Sequence, residues 1–427
     1  MTEPHVVTLD PITLEIYWNR LISAADEAAT GLLRTAFSTI VRESNDFATV
    51  LMDINGDSVS ENTGGLASFS CILPRTTKEF LNRFPAEGWR PGDVIVTNDP
   101  WIATGHLPDF TVVTGIFHAD KLVGFSGSIS HSPDIGGAVW AADCRDIFEE
   151  GIRIPPCYLL RDGVWNKQML DILLGNVRVP RQVLGDLQAQ VVAAEVGARR
   201  VAEFLADTGL PDLQELSLAL QERADRAMRR AIAELPDGTW HAEIAADGFD
   251  EKKTLISCTV TVSGDTMAID YSGTSPQIDR GINCVMNYTH AYSVYPVKCA
   301  LDPFTPRNEG SYRAITVTAP ERSILNPVYP APVSARQLTG HLLAGAIYKA
   351  LAQIIPTKII AECGGAPTMR ALFSGAARDG AAFSQVLFAS GGMGACPHKD
   401  GMSATAFPTN VGAGSIEAYE SVAPIIV

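Results

Sequence analysis

Two apolar runs joined by a very short connection constrain this chain most. Residues 110–117 (FTVVTGIF) and 122–129 (LVGFSGSI) are rich in β-branched and aromatic residues and are bounded by polar residues or Pro. Only residues 118–121 separate them, so they are expected to pair as an antiparallel hairpin. Pairing sets the start of the first strand beside the end of the second. Gly105-His106-Leu107-Pro108-Asp109 precedes the first, and the second runs on into His131-Ser132-Pro133-Asp134. His106 and Asp109 then meet His131 and Asp134 at one end of the sheet. His118 and Asp120 sit in the turn at the other end, too far away to join them.

Imidazole and carboxylate converging in this way suit a divalent cation. Neutral nitrogen with anionic oxygen matches Zn²⁺, Mn²⁺ or Fe²⁺, and fewer than six protein ligands leave room for water or substrate. One H-x-x-D is weak evidence; two brought together by a hairpin are more specific. The competing reading makes each His a turn cap and each Asp an acceptor for local backbone N–H groups, as Asp often is beside Gly and Pro. Asp46, at the start of the apolar stretch 47–52, is either a turn aspartate or a further ligand.

Around this centre the chain reads as α+β, a large multi-layer subunit. Asp10-Pro11 supplies an N-cap and a first-turn Pro, and Leu14, Trp18, Leu21, Ala25, Ala28 and Leu32 give one buried helical stripe. Asn55-Gly56 is a hairpin-type turn, and a helix is expected over 76–84 after the Gly-rich loop Thr63-Gly64-Gly65. Periodicity becomes helical from about residue 170, with long helices over 183–205 and 213–232. Asn176, Arg178, Asp186 and Gln190 are polar residues before or near the start of the first of these. Strands follow at 240–244, 255–262, 266–271 and 315–317, then a helix at 340–355 and a tail rich in Gly, Ala and Ser. The predicted division is 1–168 as a β-rich, metal-bearing part, 169–236 as a helical segment and 237–427 as a β-rich C-terminal part.

Composition narrows the function. A net charge of −15 over 427 residues lacks the basic footprint that nucleic acid or an anionic membrane surface requires. No apolar run approaches a spanning helix, the N-terminus lacks a signal peptide's basic and apolar regions, and eight scattered cysteines form no C-x-x-C pair. A cytoplasmic protein with reduced thiols is the expectation. There is no G-x-x-x-x-G-K-[ST] loop, no dinucleotide fingerprint behind a strand and no G-x-S-x-G. Cys396 beside His398 is a weak nucleophile pair.

The motifs jointly resemble the hydantoinase B family. They are residues 10–15 (DPITLE), 43–47 (ESNDF), Asn98-Asp99-Pro100, 105–109 (GHLPD), 131–137 (HSPDIGG), 151–156 (GIRIPP), Asn176-Val177-Arg178, 185–190 (GDLQAQ), 271–277 (YSGTSPQ) and Asn308-Glu309-Gly310. That family includes B-type subunits or domains of ATP-dependent N-methylhydantoinases, 5-oxoprolinases, caprolactamases, and acetone or acetophenone carboxylases. The resemblance implies a divalent metal, Zn or Mn with Fe as an alternative, held at the positions of Asp46, His106, Asp109 and His131. Asp134 then becomes a residue that orients an imidazole, and Asp134 with Asp99 are the candidate catalytic carboxylates.

The resemblance also implies an A-type partner of actin-like kinase fold that binds ATP and Mg²⁺ and phosphorylates the substrate, hence a hetero-oligomer. Amide resonance protects a lactam or imide carbonyl from attack, and phosphorylating its oxygen makes that oxygen a leaving group. The metal's part is then to lower the pKa of bound water. In the carboxylase branch it would instead polarise the enolate of a ketone. A non-catalytic scaffold is the third reading. Two departures stand out. The chain stops at Pro424-Ile425-Ile426-Val427, where the family typically continues with a Gly-rich segment, so the remainder is expected to be either missing or carried by another polypeptide. Residues 334–341 (SARQLTGH) and Ser132, in place of a second His, also differ from the hydantoinase pattern.

Overall fold

Asp10 opens the first helix as its spacing predicts. Its carboxylate accepts the backbone N–H groups of Ile12 (3.0 Å) and Thr13 (3.1 Å), and Pro11 fills a position whose N–H has no intrahelical partner. This helix, α1 (Pro11–Thr35), buries the stripe from Leu14 to Leu32. The computed structural model describes residues 10–138, 140–249, 252–363 and 368–426. A single turn, α2 (Thr39–Arg42), leads into β1 (Phe47–Asp53), which turns through Gly56 (φ 79°) to pair with β2 (Ser58–Glu61).

The next helix, α3 (Ala67–Arg83), starts at Ala67 rather than Thr76 and carries Pro74 inside it. Burial of Phe69, Ile72, Leu73 and Phe80 outweighs the hydrogen bond that Pro74 removes. Strand β3 (Val94–Thr97) precedes the central hairpin of β4 (Asp109–His118) and β5 (Lys121–His131). The loop is tighter than expected: only Ala119 (φ 47°) and Asp120 (φ 62°) lie between the strands. Both are left-handed, which matches the right-handed twist of the flanking strands. With β6 (Cys157–Arg161) and β7 (Val164–Trp165) they complete a seven-stranded antiparallel sheet in the order β2-β1-β5-β4-β3-β6-β7.

After α4 (Lys167–Gly175), the long helix α5 (Pro180–Thr208) lies across β4 and β5 beside α1, and Gly209 (φ 71°) ends it. The polar residues at its start work structurally. Asp186 accepts the N–H groups of Phe37 (2.7 Å) and Ser38 (3.0 Å), and Gln190 donates to the Phe110 carbonyl (2.8 Å). Helix α6 (Gln214–Ala233) follows.

A second sheet, ordered β11-β10-β9-β8, is built from β8 (Gly238–Phe249), β9 (Lys252–Ser263), β10 (Thr266–Asp270) and β11 (Ile315–Thr318). Between β10 and β11 runs α7 (Met286–Leu301), which sequence pattern does not reveal. Its interior Pro296 and its many Tyr, Val and Thr residues are poor helix signals, and burial of Tyr288, Tyr292, Val294 and Val297 stabilises it. Helix α8 (Gln337–Leu351) packs on α7, β8 and β9. A further hairpin, β12 (Thr368–Ala376) with β13 (Ala382–Ser390), precedes the small-residue tail, which holds α9 (Ile416–Val422). The chain is thus mixed α+β. All eight cysteines are free thiols, and among the described residues no helix is long and apolar enough to cross a membrane.

Candidate metal centre

Strand register brings the donors together. Asp109 at the start of β4 is directly opposite His131 at the end of β5, and Phe47 of β1 is opposite Ser130. The backbone of His131 donates to the Asp46 carbonyl at 3.1 Å, so three neighbouring strand ends deliver Asp46, Asp109 and His131 to one corner. His106 arrives from the loop before β4, which turns at Gly105 (φ 92°). A Cβ at Gly105 would lie 2.9 Å from both Arg336 Cδ and Val285 Cγ2, so the turn needs glycine for its angle and for space.

The four side chains are buried. Asp109 Oδ1 lies 2.8 Å from His106 Nε2 and 2.8 Å from His131 Nδ1, while Asp46 Oδ2 is 4.0 Å from His131 Nδ1. His106 Nδ1 bonds the Ser334 carbonyl at 3.2 Å, which can only accept, so the ring proton is assigned to Nδ1. His106 Nε2 therefore turns a lone pair toward a carboxylate oxygen. His131 Nδ1 can donate to that oxygen, which leaves its own Nε2 as a second lone pair. Neither Nε2 atom has a hydrogen-bond partner. Two acceptors facing each other at hydrogen-bond distance repel unless a cation lies between them. His106, Asp109 and His131 offer ligand atoms within 4.8 Å of one another, so this donor set fits a divalent ion.

Charge around the corner is arranged accordingly. Burial pushes Asp46 up to about 6, against the pull of His131. Burial also opposes ionisation of Asp109, but its neighbours, the permanently charged Arg336 guanidinium and the His131 Nδ1–H among them, outweigh it and hold that carboxyl well below its usual range. Desolvation, helped by Arg336, lowers His106 to about 3, so its imidazole stays neutral and able to ligate. Arg336 donates to Asp109 Oδ2 at 2.8 Å and to the Thr104 carbonyl at 2.5 Å, leaving Oδ1 toward the imidazoles. Trp140 stacks on His131, with ring centroids 4.2 Å apart.

Known proteins share this architecture. The family model described as Hydantoinase B/oxoprolinase matches residues 10–427. The chain belongs to that family. It is 34% identical over 375 residues to a protein of Pseudomonas sp. (strain NS671) provisionally named as the B component of a D-/L-hydantoinase, covering 83% of this chain and 63% of that one. It thus spans less than two thirds of that relative's length. The crystal structure of ATP-dependent caprolactamase from Pseudomonas jessenii superposes with a TM-score of 0.90 at 28% identity, covering 98% of this chain and 74% of that one. A nucleotide-free acetone carboxylase structure shares the fold at a TM-score of 0.87 and 19% identity, covering 96% of this chain and 58% of that one.

In this hydantoinase B-family chain, two carboxylates singled out from sequence lie outside the corner. Asp134 accepts the Gly136 N–H (3.0 Å), the Arg178 backbone N–H and the Arg178 guanidinium (2.7 Å). Asp99 accepts the Trp101 N–H (3.1 Å) and faces Arg153 at 3.5 Å. Neither lines the cavity around His106 and His131. The orienting role expected of Asp134 falls instead to the Ser334 carbonyl for His106 and to Asp109 for His131.

Ser334 is itself fixed by Glu150, which accepts the N–H groups of Val333 (2.5 Å) and Ser334 (2.8 Å). Burial pushes Glu150 from 4.5 up to about 8. The folded state therefore binds this proton more tightly than the unfolded chain does. The stability it adds is complete below about pH 4.5 and is lost as pH rises through about 8. Urea unfolding of Glu150→Gln should show a flatter decline between these values than wild type, whose slope from this group is at most about 1.4 kcal/mol per pH unit. Equal slopes would contradict the assignment.

Proposed function

We propose that this chain is the B-type catalytic subunit of an ATP-dependent cyclic-amide hydrolase, with a divalent ion held by Asp46, His106, Asp109 and His131. The observation that carries the reading is the convergence of His106 Nε2 and His131 Nδ1 on Asp109 Oδ1, each at 2.8 Å, with His106 Nδ1 occupied by the Ser334 carbonyl. Asp46 lines the same cavity, and burial raises its proton affinity, so it is available as the fourth ligand above about pH 6. Zn²⁺, Mn²⁺ and Fe²⁺ all suit two imidazoles with carboxylate oxygens. A metal held here supplies Lewis acidity and lowers the pKa of bound water.

The protein's own residues set up the site. The Ser334 carbonyl fixes the His106 tautomer, Arg336 turns Asp109 Oδ1 inward, and Trp140 shields one face of His131 from water. ATP and Mg²⁺ belong to an A-type partner of kinase fold, in keeping with the absence of a nucleotide loop in this sequence. Support for a partner and for hydrolysis comes from relatives named as one component of a hydantoinase and as the beta component of a caprolactamase. The test is the assembled complex with ATP and either a hydantoin or lactam, or a ketone with bicarbonate. ATP-dependent ring opening is the expected result. Carboxylation of the ketone without ring opening would replace the hydrolase reading with a carboxylase.

A further inference from the structure

Two further nitrogen-bearing side chains line this cavity without a hydrogen bond to any described residue, although the charge of Asp46 attracts one of them, Arg370. Arg370, on β12, makes no hydrogen bond or ion pair with any described residue, and its Nε is buried without a partner. Its guanidinium lies instead over the rings of Trp140 (5.1 Å) and Phe388 (5.8 Å). His341, on α8, is only 7% exposed and makes no hydrogen bond with any described residue; its ring stands 5.4 Å from that of Tyr292. Both residues line the same cavity as Asp46, His106, Asp109 and His131.

Arg336 shows what a paired guanidinium looks like here, since it is satisfied by Asp109 and the Thr104 carbonyl. A largely buried guanidinium without an acceptor is costly unless a ligand supplies one. Its planar fork matches a carboxylate or phosphate edge, and a neutral imidazole can donate one further N–H to the same group. Two guanidiniums balance the two aspartates of this cavity, so binding of a divalent ion leaves the pocket positive and adds to the demand for an anion.

Space around these residues falls into two parts. The cavity at the ligands encloses only about 30 Å³, room for an ion or a water. His341 also lines a neighbouring cavity of about 520 Å³, walled by Ile244, Tyr348, Ile359 and Phe407 together with Glu243 and Glu362. A largely apolar chamber of this size suits the body of a small substrate.

We propose that Arg370 and His341 bind an oxyanion of the substrate, a carboxylate or a phosphate, at the junction between the apolar chamber and the ligand corner. The proposal rests on this corner being the substrate site and does not require that a metal is bound. Calorimetric titration of the full chain with inorganic phosphate, and separately with acetate, tests it. One saturable site is expected, tighter for phosphate if the natural group is a phosphate and tighter for acetate if it is a carboxylate.

Arg370→Gln should weaken binding at least ~tenfold and Arg370→Lys by less, because the ammonium keeps the charge but loses the fork. Binding that persists in the metal-free His106→Ala/His131→Ala protein supports the proposal independently of the metal. Binding lost there but unchanged in Arg370→Gln overturns it in favour of an anion held by the metal alone. No binding of either anion to wild type overturns it as well.

Discussion

Replacing Arg336 with Met is expected to lower the unfolding free energy by about 3–5 kcal/mol, the usual cost of removing one partner from a buried ion pair. Three contacts disappear together: the bond to Asp109 Oδ2 (2.8 Å), the bond to the Thr104 carbonyl (2.5 Å) and the stacking of the guanidinium 4.1 Å from the Tyr288 ring centre. Asp109 would be left as a fully buried carboxylate with one oxygen uncompensated, and the loop carrying His106 would lose its tie at Thr104. Arg336→Lys should recover little, since an ammonium group cannot copy the planar fork that reaches both acceptors. Chemical denaturation of the two variants checks this. A loss below about 1 kcal/mol for Arg336→Met would mean that the pair is no stronger than a surface ion pair.

The second large effect is on turnover. His106→Ala combined with His131→Ala is expected to lower ATP-dependent turnover of the assembled complex by at least ~10³-fold, the several kcal/mol that a metal's charge stabilisation contributes. Stability should fall as well, because two buried rings and the ion that the folded chain would bind are lost together. Both Nε2 atoms lack partners in the protein, so truncation removes the Ser334 and Asp109 contacts of Nδ1 but breaks no guanidinium pair. Unchanged turnover in a folded double variant would support the non-catalytic scaffold reading instead.

The parts of this corner that are legible in the sequence are those fixed by local rules. A two-residue turn starts the β4–β5 pairing but alone would set Asp109 opposite Ser130; a one-residue shift of register between Ile116 and Phe117 places Asp109 opposite His131. The seven-stranded sheet can be anticipated only where its strands are strong and adjacent; β6 and β7 are too short to carry a clear pattern. What local pattern cannot supply is contact across the chain. Arg336 reaches Asp109 over 227 positions, and Arg370 joins the same cavity from the β12–β13 hairpin, far along the chain. The departure at residues 334–341 is visible in sequence, yet nothing local reveals that Ser334, Arg336 and His341 all face the corner. Asp134 misleads for the opposite reason. Its spacing from His131 copies that of Asp109 from His106, but Arg178 captures it from before α5.

Elemental analysis of the purified chain, wild type against His106→Ala/His131→Ala, tests the central claim most directly. About one divalent ion per chain in wild type, lost in the double variant, is the predicted result. A folded wild type without metal, under conditions where added Zn²⁺ or Mn²⁺ also fails to bind, would contradict it.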